Sequence, residues 1–90
     1  MHFTLKQVRY FVAVAEFGTV SRAAQELSIS QSAVTEGIKD LEAHIGVKLF
    51  DRRRRGLDAT HQGHIVHRHA KASLTEVANA ETSLSGARNE

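Results

Sequence analysis

Cysteine, proline and tryptophan are all absent from this chain of 90 residues, and tyrosine and methionine occur once each. Without cysteine there is no disulfide framework and no thiolate metal site, which excludes the disulfide-dense secreted scaffolds that small folds often need. Without proline, internal repeats or a low-complexity stretch, no linker divides the chain. No apolar run approaches the about 20 residues of a membrane-spanning helix. The opening Met1-His2-Phe3-Thr4-Leu5-Lys6 also lacks the basic-then-apolar order of a signal peptide. A soluble, cytoplasmic protein is expected. An apolar fraction of 41% allows one small domain with a modest core, with or without one long helix.

The net charge of +2 says little about partners, but its distribution says more. Lys48, Arg52, Arg53, Arg54 and Arg55 face only Asp51 within 48–55, a local sum of +4, so the rest of the chain sums to −2. One concentrated cationic spot on a surface of mixed charge fits contact with a polyanion at a defined place. The bland alternative is a solvated basic loop.

Leu5, Val8, Phe11, Val12 and Ala15 follow helical spacing and predict an amphipathic helix over 4–16, with Thr4 as N-cap and Gly18 as its stop. Ser21 reads as the N-cap of a second, short helix that turns Ala23, Ala24 and Leu27 inward. The paired alanines allow close helix approach. Ser28-Ile29-Ser30 makes a turn, with Ile29 its apolar plug and Ser30 the next N-cap. A third helix is predicted from Gln31 to Ile45, because Val34, Ile38, Leu41 and Ile45 form one buried stripe, with Gly46 as C-cap. Gln31, Ser32, Thr35, Glu36 and Lys39 are left outside. Gly37, inside this helix, costs about 1 kcal/mol relative to alanine, which points to a packing or clearance requirement.

Val47, Leu49 and Phe50 read as a strand entering a hairpin with its tip at Arg53-Arg54-Arg55-Gly56, and Leu57 and Ala59 return. Thr60 is placed to cap a last helix of about 25 residues, at ~1.5 Å each longer than a core of this size can cover. Along it Val66, Ala70, Leu74, Val77, Glu81 and Leu84 recur at alternating fours and threes, as in a coiled-coil seam. The simplest partner for that stripe is the same helix of a second copy. The expected fold is therefore mainly α: a winged helix-turn-helix with a β-hairpin wing over 1–59, then a long linker or dimerisation helix over 60–90 with a fraying tail. Such a layout suits one helix in a DNA major groove and an arginine-rich tip at the neighbouring minor groove.

These residues together resemble the N-terminal DNA-binding domain of LysR-type transcriptional regulators. The resemblance is carried by the run Leu5 to Glu16, Gly18, Ala23-Ala24, Leu27, Ser30-Gln31, Ala33-Val34-Thr35, Ile38, Leu41-Glu42, Ile45-Gly46, Leu49-Phe50, Arg52, Arg55-Gly56, Thr60 and Gly63. It runs along almost the whole chain, and the joint order and spacing make it specific. Ser32 stands where the family usually carries proline, and serine also suits a first helical turn. Glu36 replaces a basic or neutral residue and Gly37 a larger polar one, which bears on base preference. Ala59 and Gln62 replace the usual leucine and alanine, which bears on the packing of the long helix. Family members carry a larger C-terminal domain that senses a small-molecule co-inducer, and this chain reads as ending where that domain would begin.

The resemblance implies sequence-specific binding of double-stranded DNA by a homodimer that regulates transcription. It directs Gln31 into the major groove, where a glutamine amide pairs with adenine. Ser32, Thr35 and Glu36 share that face: Thr35 for a thymine methyl or a phosphate, Glu36 for a cytosine amine or merely for solvent. Ser21 and Arg22 are phosphate candidates because they open a helix, with Ser30, Lys39, Arg52 and Thr60 as further ones, Arg52 by analogy with the family arginine. Arg53, Arg54 and Arg55 lie at the minor-groove wing, where at least one is expected to enter a narrow A·T-rich groove, and Arg55 before Gly56 matches the family best.

His61, His64, His67 and His69 raise a metal hypothesis, since His64 and His67 can share a helix face. A structural zinc usually takes four ligands, often with cysteine, so solvated or interface histidines are the reading and neither metal nor cofactor is expected. Nothing positions a serine beside a histidine and an oxyanion donor, so no enzyme is expected. Two rivals remain: a free-standing winged-helix repressor, complete at this length, and a metal-responsive or protein-interaction dimer built on the histidine-bearing helix.

Overall fold

A computed structural model describes residues 3–54 and 56–88. Its elements in chain order are α1 (Leu5–Phe17), α2 (Val20–Leu27), α3 (Gln31–Ile45), β1 (Phe50–Arg53), β2 (Gly56–Ala59) and α4 (His61–Arg88). This is the mainly helical winged helix-turn-helix with a two-stranded hairpin that the residue pattern predicts.

Local hydrogen bonding sets most boundaries. The Thr4 hydroxyl accepts from the Gln7 N–H at 3.1 Å while the Gln7 side chain accepts from the Thr4 N–H at 3.0 Å, a reciprocal cap that satisfies two free donors. Gly18 ends α1 in the left-handed region at φ 84°. The start of α2 differs from expectation. Its cap is Thr19, not Ser21: the chain leaves Gly18 directly into extended backbone, and the Thr19 hydroxyl accepts from the Arg22 N–H at 3.1 Å. Ser21 is therefore an exposed residue inside the first turn.

The tight turn after α2 closes on Ser28 at φ 58°, a left-handed conformation uncommon outside glycine. Its N–H donates to the Gln25 carbonyl and the Ile29 N–H to the Ala24 carbonyl, so two otherwise free carbonyls at the helix end are satisfied while Ile29 packs on the core. Ser30 then caps α3 by accepting from the Ala33 N–H at 3.1 Å.

The core gathers around Phe11, fully buried in α1, whose ring lies 5.2 Å from that of Phe50. Val14, Val34, Leu41 and Leu49 complete its centre. Ala23 and Ala24 are buried, which is how α2 comes close to its neighbours. Gly37 has the clearance reason its position suggests: a Cβ there would lie 2.5 Å from Cδ2 of Tyr10, so the Tyr10 ring rests against the backbone of α3.

The hairpin pairs Phe50 with Ala59 and Arg53 with Gly56, which leaves a two-residue tip. Val47 and Leu49, expected within the strand, precede it. The Leu49 N–H donates instead to the Glu42 carboxylate at 2.7 Å and the Leu49 carbonyl accepts from the Thr60 N–H at 3.0 Å, so its backbone is bonded outside the ladder. Thr60 caps α4, accepting from the Gly63 N–H at 2.9 Å. Among the described residues of α4, Ala70 joins the hydrophobic core cluster, with Val66 and Leu74 packed beside it. Farther along the seam Val77 is half-buried, while Glu81 and Leu84 are exposed. The 28 residues of α4 extend the molecule to 52 × 27 × 19 Å.

Candidate nucleic-acid interface

A groove lies between α3 and the hairpin. Gln31, Thr35 and Lys39 line it from α3, Lys48, Arg52, Arg53 and Arg54 from the wing and its approach, and Thr19 and Val20 from the start of α2. Capping creates this arrangement. Ser30 starts α3 so that Gln31 and Ser32 fall in its exposed first turn, and the 3.6-residue period brings Thr35 onto the same side. Glu36 is exposed next to Thr35 but does not line the groove, as Ser32 does not.

The wing is held at both ends. At its base, Glu42 binds the Leu49 backbone from α3, and Thr60 donates its hydroxyl proton to the Lys48 carbonyl at 2.7 Å. That proton is the one Thr60 would offer a phosphate, so the phosphate role expected of it has no donor left. Nearer the tip, the Leu57 N–H donates to the Gly18 carbonyl at 3.1 Å. Gly56, at φ 126°, allows this approach: a Cβ there would lie 2.5 Å from the Gly18 oxygen. The wing is thus docked on the α1–α2 turn.

Charge in the groove is largely unpaired. Among the described residues the ion pairs are Arg53–Asp58, 2.9 Å apart across the hairpin, and Lys71–Glu16, also 2.9 Å. Arg53 is thereby partly neutralised, whereas Lys39, Lys48, Arg52 and Arg54 have no carboxylate partner among the described residues. Arg52 shares a strand face with buried Phe50, since side chains alternate along β1. Arg55 lies outside the described residues. Ser21, Arg22 and Ser30 are exposed around the start of α2 and α3 but do not line the groove.

Two residues of the groove escape a reading by role. Lys48 belongs to the basic run, yet it precedes the strand and its approach to α3 depends on the Glu42 and Thr60 bonds. Thr19 is one of two hydroxyls flanking Val20, and only the bond it makes tells them apart.

The histidines sit elsewhere. His61, His64 and His69 are exposed on α4, and His67 packs edge-on to Phe11 with ring centroids 6.3 Å apart. Among the described residues, no three of His, Asp and Glu converge on a point that could hold a metal ion.

The family model for the bacterial regulatory helix-turn-helix protein, lysR family, matches residues 5–64. The chain belongs to this family. It is a family of regulatory proteins rather than enzymes. The chain is 39% identical over 89 residues to the RuBisCO operon transcriptional regulator of Allochromatium vinosum, a match covering 96% of this chain and 30% of the relative. Among solved structures, the CbnR DBD–DNA complex superposes with a TM-score of 0.84 at 36% identity, covering 98% of this chain and 100% of the other. The BenM DBD–catB site 1 DNA complex gives 0.88 at 31% identity, covering 92% of each chain. The chain spans between 20% and 38% of the length of the curated relatives it matches.

Proposed function

We propose that this LysR-family chain binds double-stranded DNA sequence-specifically and regulates transcription as a homodimer. The observation that carries this reading is the single groove framed by the exposed start of α3 and the arginine-bearing hairpin. Gln31 and Thr35, with Ser32 and Glu36 beside them, read bases in the major groove. Arg22, Ser21, Ser30, Lys39, Arg52 and Lys48 hold backbone phosphate, which supplies affinity but no base preference. Arg54, free of any described carboxylate, enters the minor groove ahead of Arg53, which must first release Asp58. Thr60 is left to anchor the wing.

The functional division follows the chain, with the DNA-binding unit in 1–59 and the dimerisation helix in 60–90. Within that helix Val66, Ala70 and Leu74 are engaged by their own core, so Val77, Glu81 and Leu84 form the part of the seam offered to a second copy. Exposed Phe3, Leu5 and Ile65 border an apolar groove near its base and extend that surface. No described helix is long and apolar enough to cross a membrane, and a cytoplasmic site of action suits a DNA-bound regulator.

Gln31→Ala tests the base-reading role. Binding preferences measured across a set of duplexes should relax by about tenfold at one position, as for a lost contact of about 1–3 kcal/mol, with little change in salt dependence. A uniform loss across all duplexes would remove Gln31 from the major groove.

A further inference from the structure

We propose that Phe17 is a positioning residue that holds the Arg22 guanidinium ready for a backbone phosphate. Phe17 is the last residue of α1, remains 38% exposed and is not part of the core cluster. Its ring lies under the Arg22 guanidinium carbon, 5.8 Å from the centroid, within the range of a cation–π contact.

The partner chosen for Arg22 matters chemically. A carboxylate would occupy the guanidinium's N–H donors and compete with phosphate for them. An aromatic face holds the cation from below and leaves those in-plane donors free. Arg22 makes no ion pair among the described residues, although Glu26 lies one turn further along α2. Its backbone is fixed as well, since its N–H is the donor that Thr19 caps, and Thr19 borders the groove. Both ends of the Arg22 side chain are therefore restrained before any ligand arrives, which lowers the rotamer entropy lost on binding. Phe17 immediately precedes Gly18, on which the wing docks.

The inference rests on the reading of Arg22 as a phosphate contact, and a double-mutant cycle separates the two. Affinity of the whole chain for a mixed-sequence duplex is measured at several salt concentrations for wild type, Arg22→Gln, Phe17→Leu, the double variant and Phe17→Tyr. Arg22→Gln should weaken binding and reduce the salt slope by about 0.9. Phe17→Leu should weaken it about two- to fivefold, as loss of the pre-ordering of one long side chain would, yet have no further effect in the Arg22→Gln background. Phe17→Tyr, which keeps the ring, should bind like wild type. Equal loss from Phe17→Leu with and without Arg22 would overturn the positioning role and leave the phosphate contact standing. No effect of Arg22→Gln on affinity or slope would overturn both.

Discussion

Thr19 and Ser21 illustrate what a single hydroxyl decides. Both flank Val20, both are residue types that cap helices, and the sequence offers no local reason to prefer one. The structure selects Thr19 because the backbone at Gly18 is fixed from outside the helix pair: its carbonyl accepts the Leu57 N–H of the wing. The extended residue that follows Gly18 is then the one whose oxygen meets the Arg22 N–H. Thr19→Ala should cost about 1 kcal/mol in urea unfolding, as loss of a helix cap does, whereas Ser21→Ala should stay within about 0.5 kcal/mol of wild type. The reverse order would restore Ser21 as the cap. Thr4, Ser30 and Gly46, by contrast, are legible without the fold because each makes its bond within its own helix. Gly37 was legible only as a question, since its answer is the ring of Tyr10, a residue 27 positions earlier.

The wing shows the limit of reading at the level of elements. Its basic composition stands out in the chain, and so does a hairpin near its tip. What the sequence hides is the register, and register sets the electrostatics. Pairing Arg53 with Gly56 places Asp58 within reach of Arg53, and so one of the arginines is held by a carboxylate while Arg52 and Arg54 meet none among the described residues. The start of the strand was hidden too, because Leu49 has the apolar character of a strand residue but gives its backbone to Glu42 and Thr60. Replacing Arg52 and Arg54 together with glutamine should lower the slope of log affinity against log salt by about 1.8 and weaken binding most for duplexes with an A·T-rich flank. An unchanged slope would reduce the wing to a solvated loop. Because the wing rests on Gly18 through its backbone, this double variant should retain the wild-type melting temperature.

For the whole molecule, the proposed dimer would link folding to assembly through the long helix. Its first half completes the core through Ala70, while its second half carries a stripe with no partner among the described residues, ending at Leu84, 64% exposed. The periodicity of Val66 through Leu84 announced one continuous seam, but spacing alone does not say which part of it a chain's own core will cover. Val77→Asp with Leu84→Asp should convert a dimer to a monomer in sedimentation and leave a folded helical spectrum, since neither residue lies in the buried core. A dimer that survives both changes would place the interface elsewhere. Pairing two chains matters for recognition because two-fold symmetry sets the half-site spacing, about one helical turn or a multiple of it.

Selection of bound sequences from a random duplex pool at two salt concentrations asks directly whether the chain reads base sequence as a dimer. A dimeric sequence reader should enrich an interrupted palindrome with A·T-rich sequence where the wing lies, bound more weakly at the higher salt but with the same preference. Salt-sensitive retention with no enriched motif, or no retention at either salt, would contradict that reading.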